Sequence, residues 1–169
     1  MRVRRADPGD AAAIAEVHVD AWRAGYRGLL PDHVLDGLSV AVRRRAWEEA
    51  LAGGEVAVLV AEDGGGVAGF CALAPDRGEV AALYVDPARW GRGAGAALLR
   101  SGLELLREGG VGEAVVWLLA GNARAAALYG RLGFSADGTE RRERIASLAA
   151  EEAPAQIRMR APLADPPAR

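Results

Sequence analysis

The chain has 169 residues, 51% hydrophobic and 5% aromatic, which suits one domain with a core built mainly from Ala, Val and Leu. Its 21 basic residues, all arginine, stand against 23 acidic ones, and the formal net charge of −2 argues against a general nucleic-acid or anionic-membrane surface. The single cysteine, Cys71, excludes an internal disulfide framework and a cysteine zinc site, and two histidines, His18 and His33, are too few for a histidine-rich metal cage.

MRVRRADPGD carries charges but no apolar run of the secretory kind, and no later stretch reaches the roughly 18 apolar residues of a membrane-spanning helix. A cytoplasmic protein is therefore expected. Val3 to Ala6 reads as a short strand, and Asp10 as the N-cap of a helix carrying Ile14, Val17, Val19 and Trp22. Tyr26 to Gly37 reads as a loop or broken helix around Pro31. Ser39 can cap a second helix through Leu51, stopped by Gly53 and Gly54.

The period then shifts to strands. Glu55 to Glu62, a turn at Asp63 to Gly66, Val67 to Ala74 and Glu79 to Val85 form a three-strand meander. A glycine-rich loop, Trp90 to Gly95, opens a helix ending at Gly109 and Gly110. Glu113 to Leu119 is a buried-looking strand, Asn122 to Leu132 a short helix, and Phe134 to Pro162 holds two further strands. The order is βααβββαβαββ, an α/β fold (an α+β mixed sheet) with helices on both faces. Residues 1–161 read as one domain and 162–169 as a disordered tail. The helix after the glycine loop is a crossover, so the strands it joins lie parallel, with a ligand expected at their carboxyl ends.

Arg89-Trp90-Gly91-Arg92-Gly93-Ala94-Gly95-Ala96 is the most informative segment. Glycines let the backbone approach an anion, and the helix that follows offers unpaired amides and the positive end of its dipole. Arg92 adds a charge-assisted donor. No Lys-Ser/Thr follows the glycines, which excludes a P-loop, and no acidic residue ends a second βαβ strand, which disfavours a dinucleotide fold. By itself the loop also reads as a tight turn that needs small residues.

LYVDPARWGRGAGAALL (Leu83 to Leu99) resembles the acyl-CoA-binding segment of the GNAT acyltransferase superfamily, and VVWLLAGNARAAALYGRLGF (Val115 to Phe134) resembles that family's following strand, Asn, helical Tyr and Leu-Gly-Phe. The element order is also the family's. The resemblance implies acetyl-CoA as cofactor, CoA as product and no metal. It implies an N-acetyltransferase that moves an acetyl group directly to a primary amine of a small molecule or peptide. By the same resemblance the backbone of Leu83, Tyr84 and Val85 faces the pantetheine arm, with the Val85 amide near the thioester carbonyl. Gly91, Arg92, Gly93, Ala94, Gly95 and Ala96 hold the pyrophosphate, and Asn122 bonds the pantetheine. Tyr129 is the general acid toward the leaving thiolate. Trp90 stands where the family usually has Gln or Arg.

Other residues carry two readings each. Glu79 starts the central strand and is the candidate general base, or a solvent-facing carboxylate. Arg124 is a candidate contact to the ribose phosphate, or a surface ion pair. Tyr129 is also a plausible core tyrosine, and Asn122 an N-cap. Trp22 and Tyr26, four apart, are candidate walls of an acceptor pocket, with Trp22 equally a core anchor. Asp20 or Asp32 could attract a cationic amine. Cys71 reads as inert core, and Arg43-Arg44-Arg45 and Arg141-Arg142-Arg144 as solvated faces. The alternative to an enzyme is a non-catalytic CoA-binding sensor or assembly module. An RNA-directed acetylase needs a basic face that the charge balance disfavours. A homodimer is compatible with the family, and the sequence does not decide it.

Overall fold

The computed structural model describes residues 1–163. The strands are β1 (Arg2–Arg5), β2 (Ala57–Asp63), β3 (Gly66–Ala74), β4 (Glu79–Val85), β5 (Glu113–Leu119), β6 (Ser135–Arg141) and β7 (Gln156–Pro162). The helices are α1 (Ala11–Gly25), α2 (Asp32–Asp36), α3 (Val40–Gly53), α4 (Ala94–Glu108) and α5 (Ala123–Arg131). The sequence order is reproduced, except that the segment around Pro31 closes into the short helix α2. The predicted tail starts too early: Pro162 ends β7 and the Leu163 N–H donates to the Gly112 carbonyl at 2.9 Å. The rest of that tail lies outside the described residues.

One seven-stranded sheet runs in the order β1-β2-β3-β4-β5-β7-β6. Every neighbour is antiparallel except β4 and β5. Strand alternation separates two cores. Leu59, Ala61, Cys71 and Leu73 face α4 and α5, packing on Leu98, Leu99, Leu106 and Tyr129. Val58, Val60, Phe70 and Ala72 face α1, packing on Ile14 and Val17. Helices therefore cover both faces.

Two caps differ in kind. Ser39 Oγ accepts from the Val42 N–H at 3.3 Å, as its spacing predicts. Asp10 does not cap α1 with its side chain. Its carboxylate instead takes two bonds from Arg4, at 2.7 and 2.9 Å, and one from the Asp7 N–H at 2.8 Å. A guanidinium fork outcompetes a local amide there, because a paired charge bonds more strongly than a neutral donor. The Arg4 bond holds the Asp10 carboxyl below its ordinary range. No helix among the described residues is long and apolar enough to cross a membrane.

Candidate active site

The cleft begins where the sheet stops being a sheet. β4 and β5 pair only at Glu79 with Val115 and Val80 with Val116, then part. On its other edge β4 stays in register with β3, through Cys71/Leu83, Phe70/Tyr84 and Gly69/Val85. The Asp86 N–H donates to the Ala68 carbonyl at 2.9 Å. Bonded and non-bonded pairs alternate in an antiparallel ladder, so Tyr84 bonds Phe70, while Leu83 and Val85 turn their N–H and C=O groups into the cleft. Tyr84 thus offers the cleft its side chain, not the backbone expected from sequence. The Val85 carbonyl is already taken: Trp90 Nε1–H donates to it at 2.8 Å. The Val85 N–H still faces the cleft.

Below β4 lies the glycine loop. Gly91 and Gly93 adopt φ of 77° and 88°, a left-handed conformation that disfavours side chains, and the space where a Cβ would stand is open at both. Gly93 is the N-cap of α4 and brings no side chain to it. The first turn of an α-helix leaves its amides without helical partners, so the N–H groups of Ala94, Gly95 and Ala96 are free to meet an anion. Gly91, Gly93, Ala94, Gly95, Ala96 and Asn122 all line a cavity of about 770 Å³ that also reaches Leu83, Tyr84, Val85 and Tyr129. Arg92 is exposed and is not part of that wall, so the side-chain donor expected from it is not placed there. Arg89 reaches the cavity edge but is tied to Asp63 at 2.8 Å and to the Gly65 and Gly66 carbonyls.

Trp90 fills its unusual position with two contacts. Besides bonding Val85, its ring carries the Arg124 guanidinium 3.6 Å above its centroid. Arg124 therefore sits in a cation–π stack at the cavity wall instead of a surface ion pair. Asn122 caps α5, its Oδ1 accepting from the Ala125 N–H at 3.2 Å, and it lines the same cavity. The N-cap reading is observed, and the same residue stands on the cavity wall.

Tyr129 is buried on α5, edge-on to Phe134 at 5.3 Å. Burial, with Cys71 and Tyr84 nearby, keeps its phenol protonated well above the ordinary tyrosine range. Cys71 is fully buried, and desolvation pushes its thiol up to about 12. A thiol held that way is a poor nucleophile.

A second cavity, of about 330 Å³, shares Tyr26, Val80, Ala81, Ala82 and Tyr84 with the first. Trp22 and Tyr26 are walls of it, as expected, and both also pack on the apolar cluster around Leu35 and Leu119. The Tyr26 and Tyr84 hydroxyls hydrogen-bond at 3.1 Å. His18 is stacked on Tyr84, with ring centroids 5.0 Å apart and planes 17° apart. Its Nδ1 accepts from Trp47 Nε1–H at 3.1 Å. Glu79 lines this cavity and bonds Arg77 at 3.2 Å.

Several expectations for this side need correction. Asp20 is exposed and outside the cavity, and Asp32 is engaged by Arg27 at 2.8 Å. The arginine clusters are not simply solvated faces: Arg43, Arg141 and Arg144 line the cavity, while Arg44 pairs with Glu48 and Arg142 bonds the Ala153 carbonyl. Sequence reasoning missed His18, Trp47 and Trp117 as site neighbours. Only Trp117, a bulky aromatic in an otherwise aliphatic strand, left a visible signal. Among the described residues no cluster of His, Cys, Asp and Glu is arranged to hold a metal ion.

The chain is similar to proteins of one family. The model of the Acetyltransferase (GNAT) family matches residues 13–134. The N-acetyltransferase YuaI of Bacillus subtilis (strain 168) is 36% identical over 130 residues, covering 72% of this chain and 73% of its own. Mycothiol acetyltransferase of Clavibacter sepedonicus is 48% identical over 80 residues, which is 46% of this chain and 26% of that longer protein. Among solved structures, yncA of Salmonella typhimurium, determined with its cofactor acetyl-CoA, superposes with a TM-score of 0.70 at 26% identity over 100% of this chain and 97% of that one. Parted strands, a glycine-capped helix and the match across residues 13–134 lead to one conclusion: the chain belongs to the GNAT family of acetyltransferases.

Proposed function

We propose that the chain transfers an acetyl group from acetyl-CoA directly to a primary amine held in the smaller cavity. The observation that carries this reading is the junction of two cavities along β4. One offers backbone amides suited to a pyrophosphate and a thioester, the other a walled space for an acceptor, and they meet beside Tyr84. The residues fit the cofactor: the free α4 amides suit the pyrophosphate, and Leu83 and Val85 present main-chain groups to the extended arm.

The amine nitrogen attacks the thioester carbonyl carbon, after losing a proton to Glu79 directly or through a water. The Val85 N–H favours the oxyanion that develops on the carbonyl oxygen. As the carbon–sulfur bond breaks, Tyr129 gives its proton to the departing sulfur and is restored, through water, by the proton that the newly acylated nitrogen loses. A phenol kept protonated by burial is suited to that task. The unactivated Cys71 thiol supports direct transfer over an acyl-enzyme. Sequential kinetics are expected, and an acetylated Cys71 on the pathway would overturn the mechanism.

Calorimetric titration of acetyl-CoA tests the reading, run beside Gly93→Glu, with thermal unfolding as the check on folding. The substitution sets a carboxylate and a disfavoured φ at the helix N-terminus. Micromolar binding to the native protein, weakened at least a hundredfold in the variant, is expected. Absence of binding to the native protein would defeat the proposal.

A further inference from the structure

We infer that the acceptor carries an anionic group, a carboxylate or a comparable oxyanion, beside the amine that is acetylated. This rests on the acetyl-transfer reading and names the substrate class for its second site.

Charge comes first. Three arginines, the half-buried Arg43 and Arg141 and the exposed Arg144, are among the residues lining the smaller cavity, against a single acidic residue, Glu79. Arg141 is occupied by Gln156 at 2.8 Å, Glu143 at 3.1 Å and the Trp117 ring at 4.0 Å. Among the described residues neither Arg43 nor Arg144 has a carboxylate partner. Arg43 lies 5.3 Å from the Trp22 ring centroid, close enough to His18 for its charge to be felt there. Arg144 leads into a packed turn: Ile145 is buried and bridges Leu148, and Ala146 is held at φ 51°, a strained conformation that a loose loop would relax.

An uncharged donor lies beside these cations. His18 is 7% exposed, and its Nε2 is buried without a hydrogen-bond partner. Because Nδ1 accepts from Trp47, the neutral ring carries its proton on Nε2, which makes that atom an orphaned donor. The Trp22 Nε1–H is buried next to the Tyr84 hydroxyl, which it helps to polarise. Both residues line the cavity. Two arginines without carboxylate partners on one cavity wall, with a buried unpaired donor on the neighbouring His18, match that cavity to an anionic ligand. Glu79 supplies the opposite charge that an ammonium would meet. A small zwitterion, amine toward Glu79 and anion toward Arg43 and Arg144, matches the charges of this wall.

The experiment follows CoA release from acetyl-CoA with matched amines: α-amino acids with acidic, aliphatic and aromatic side chains, their aminoalkylphosphonate analogues, the same amines lacking the anion, and spermidine. Members bearing the anion are expected to show at least tenfold higher kcat/KM, the phosphonate arm separating phosphate-like from carboxylate recognition. Arg43→Gln and Arg144→Gln should each erode that advantage by raising KM at least tenfold more for the anionic members than for the anion-free amines. Arg44→Gln, on the exposed side of α3, is the control. Tryptophan fluorescence, titrated with the same amines without acetyl-CoA, reads the cavity directly through Trp22 and Trp117. Equal use of anion-free amines, a preference for spermidine, or fluorescence blind to every anionic member overturns the inference. Loss of acetyl-CoA binding in calorimetry, with the fluorescence response intact, would instead fault the acetyl-transfer reading.

Discussion

The two ends of the cleft are made of different material. The end proposed for the cofactor is almost all main chain: the main chain of Leu83, the amide of Val85, two left-handed glycines, and the bare first turn of α4. The end proposed for the acceptor is almost all side chain: His18, Trp22, Tyr26, Tyr84 and Trp117 with arginines around them. Main-chain groups are common to all residues, so a site built from them can persist while side chains vary, provided the glycines remain. A side-chain site changes its ligand with each substitution. One fold can therefore keep one acyl donor and change acceptors.

Tyr129→Phe probes that contrast at a side chain on the wall of the larger cavity. If the phenol acts only as general acid, kcat should fall by about 10²–10⁴-fold. Acetyl-CoA affinity, set by main chain, should move little. Phe preserves the edge contact with Phe134 at 5.3 Å, so thermal unfolding should be close to native. A kcat within threefold of native would move the proton donor to water or another residue.

The next effect belongs to the acceptor end alone. Burial, aided by the charge of Arg43, holds His18 neutral down to about 3, against an ordinary 6.5. Between those values the unfolded chain binds a proton that the folded chain refuses. Stability should therefore be complete above pH 6.5 and fall on acidification by about 1.4 kcal/mol per unit. Denaturant unfolding at several pH values measures this slope. His18→Gln, which does not titrate, should flatten it, and calorimetric affinity for acetyl-CoA at pH 7.5 should stay unchanged. A slope that survives the substitution would assign it to other groups.

What the sequence made legible follows the same division. The element order, the crossover and the glycine cradle were readable because local rules govern them: period, capping residues, and the need for φ near 80° at Gly91 and Gly93. Tyr129 and Asn122 were placed by motif spacing. The acceptor end was not readable, because long-range packing assembles it. Trp47 reaches back to His18 across 29 positions, and the β6–β7 connection brings Arg144 to a wall with members on α1, α3, β4, β5, β6 and β7. Nothing in Arg43-Arg44-Arg45 says that the first faces a cavity while the second pairs with Glu48. Asp10 failed for a related reason: Arg4, six residues away and on a different element, claims its carboxylate.

Trp90 is the place where a side chain enters the main-chain end, and its effect should be the smallest of the three. Its indole N–H bonds the Val85 carbonyl at 2.8 Å, one residue's main chain away from the amide proposed to meet the thioester oxygen. Trp90→Phe keeps an aromatic ring beneath Arg124 but removes that donor. A net hydrogen bond of this kind is worth about 1 kcal/mol, equivalent to roughly a fivefold fall in kcat if the bond holds the Val85 peptide in its productive orientation. Acetyl-CoA affinity should be nearly unchanged, because the α4 amides are untouched. Trp90→Ala, which also removes the platform for Arg124, should add a loss of affinity to the loss of rate. The pair of variants separates the two contacts: a Phe variant that weakens binding without slowing turnover would make Trp90 part of the cradle and not a positioning residue for Val85.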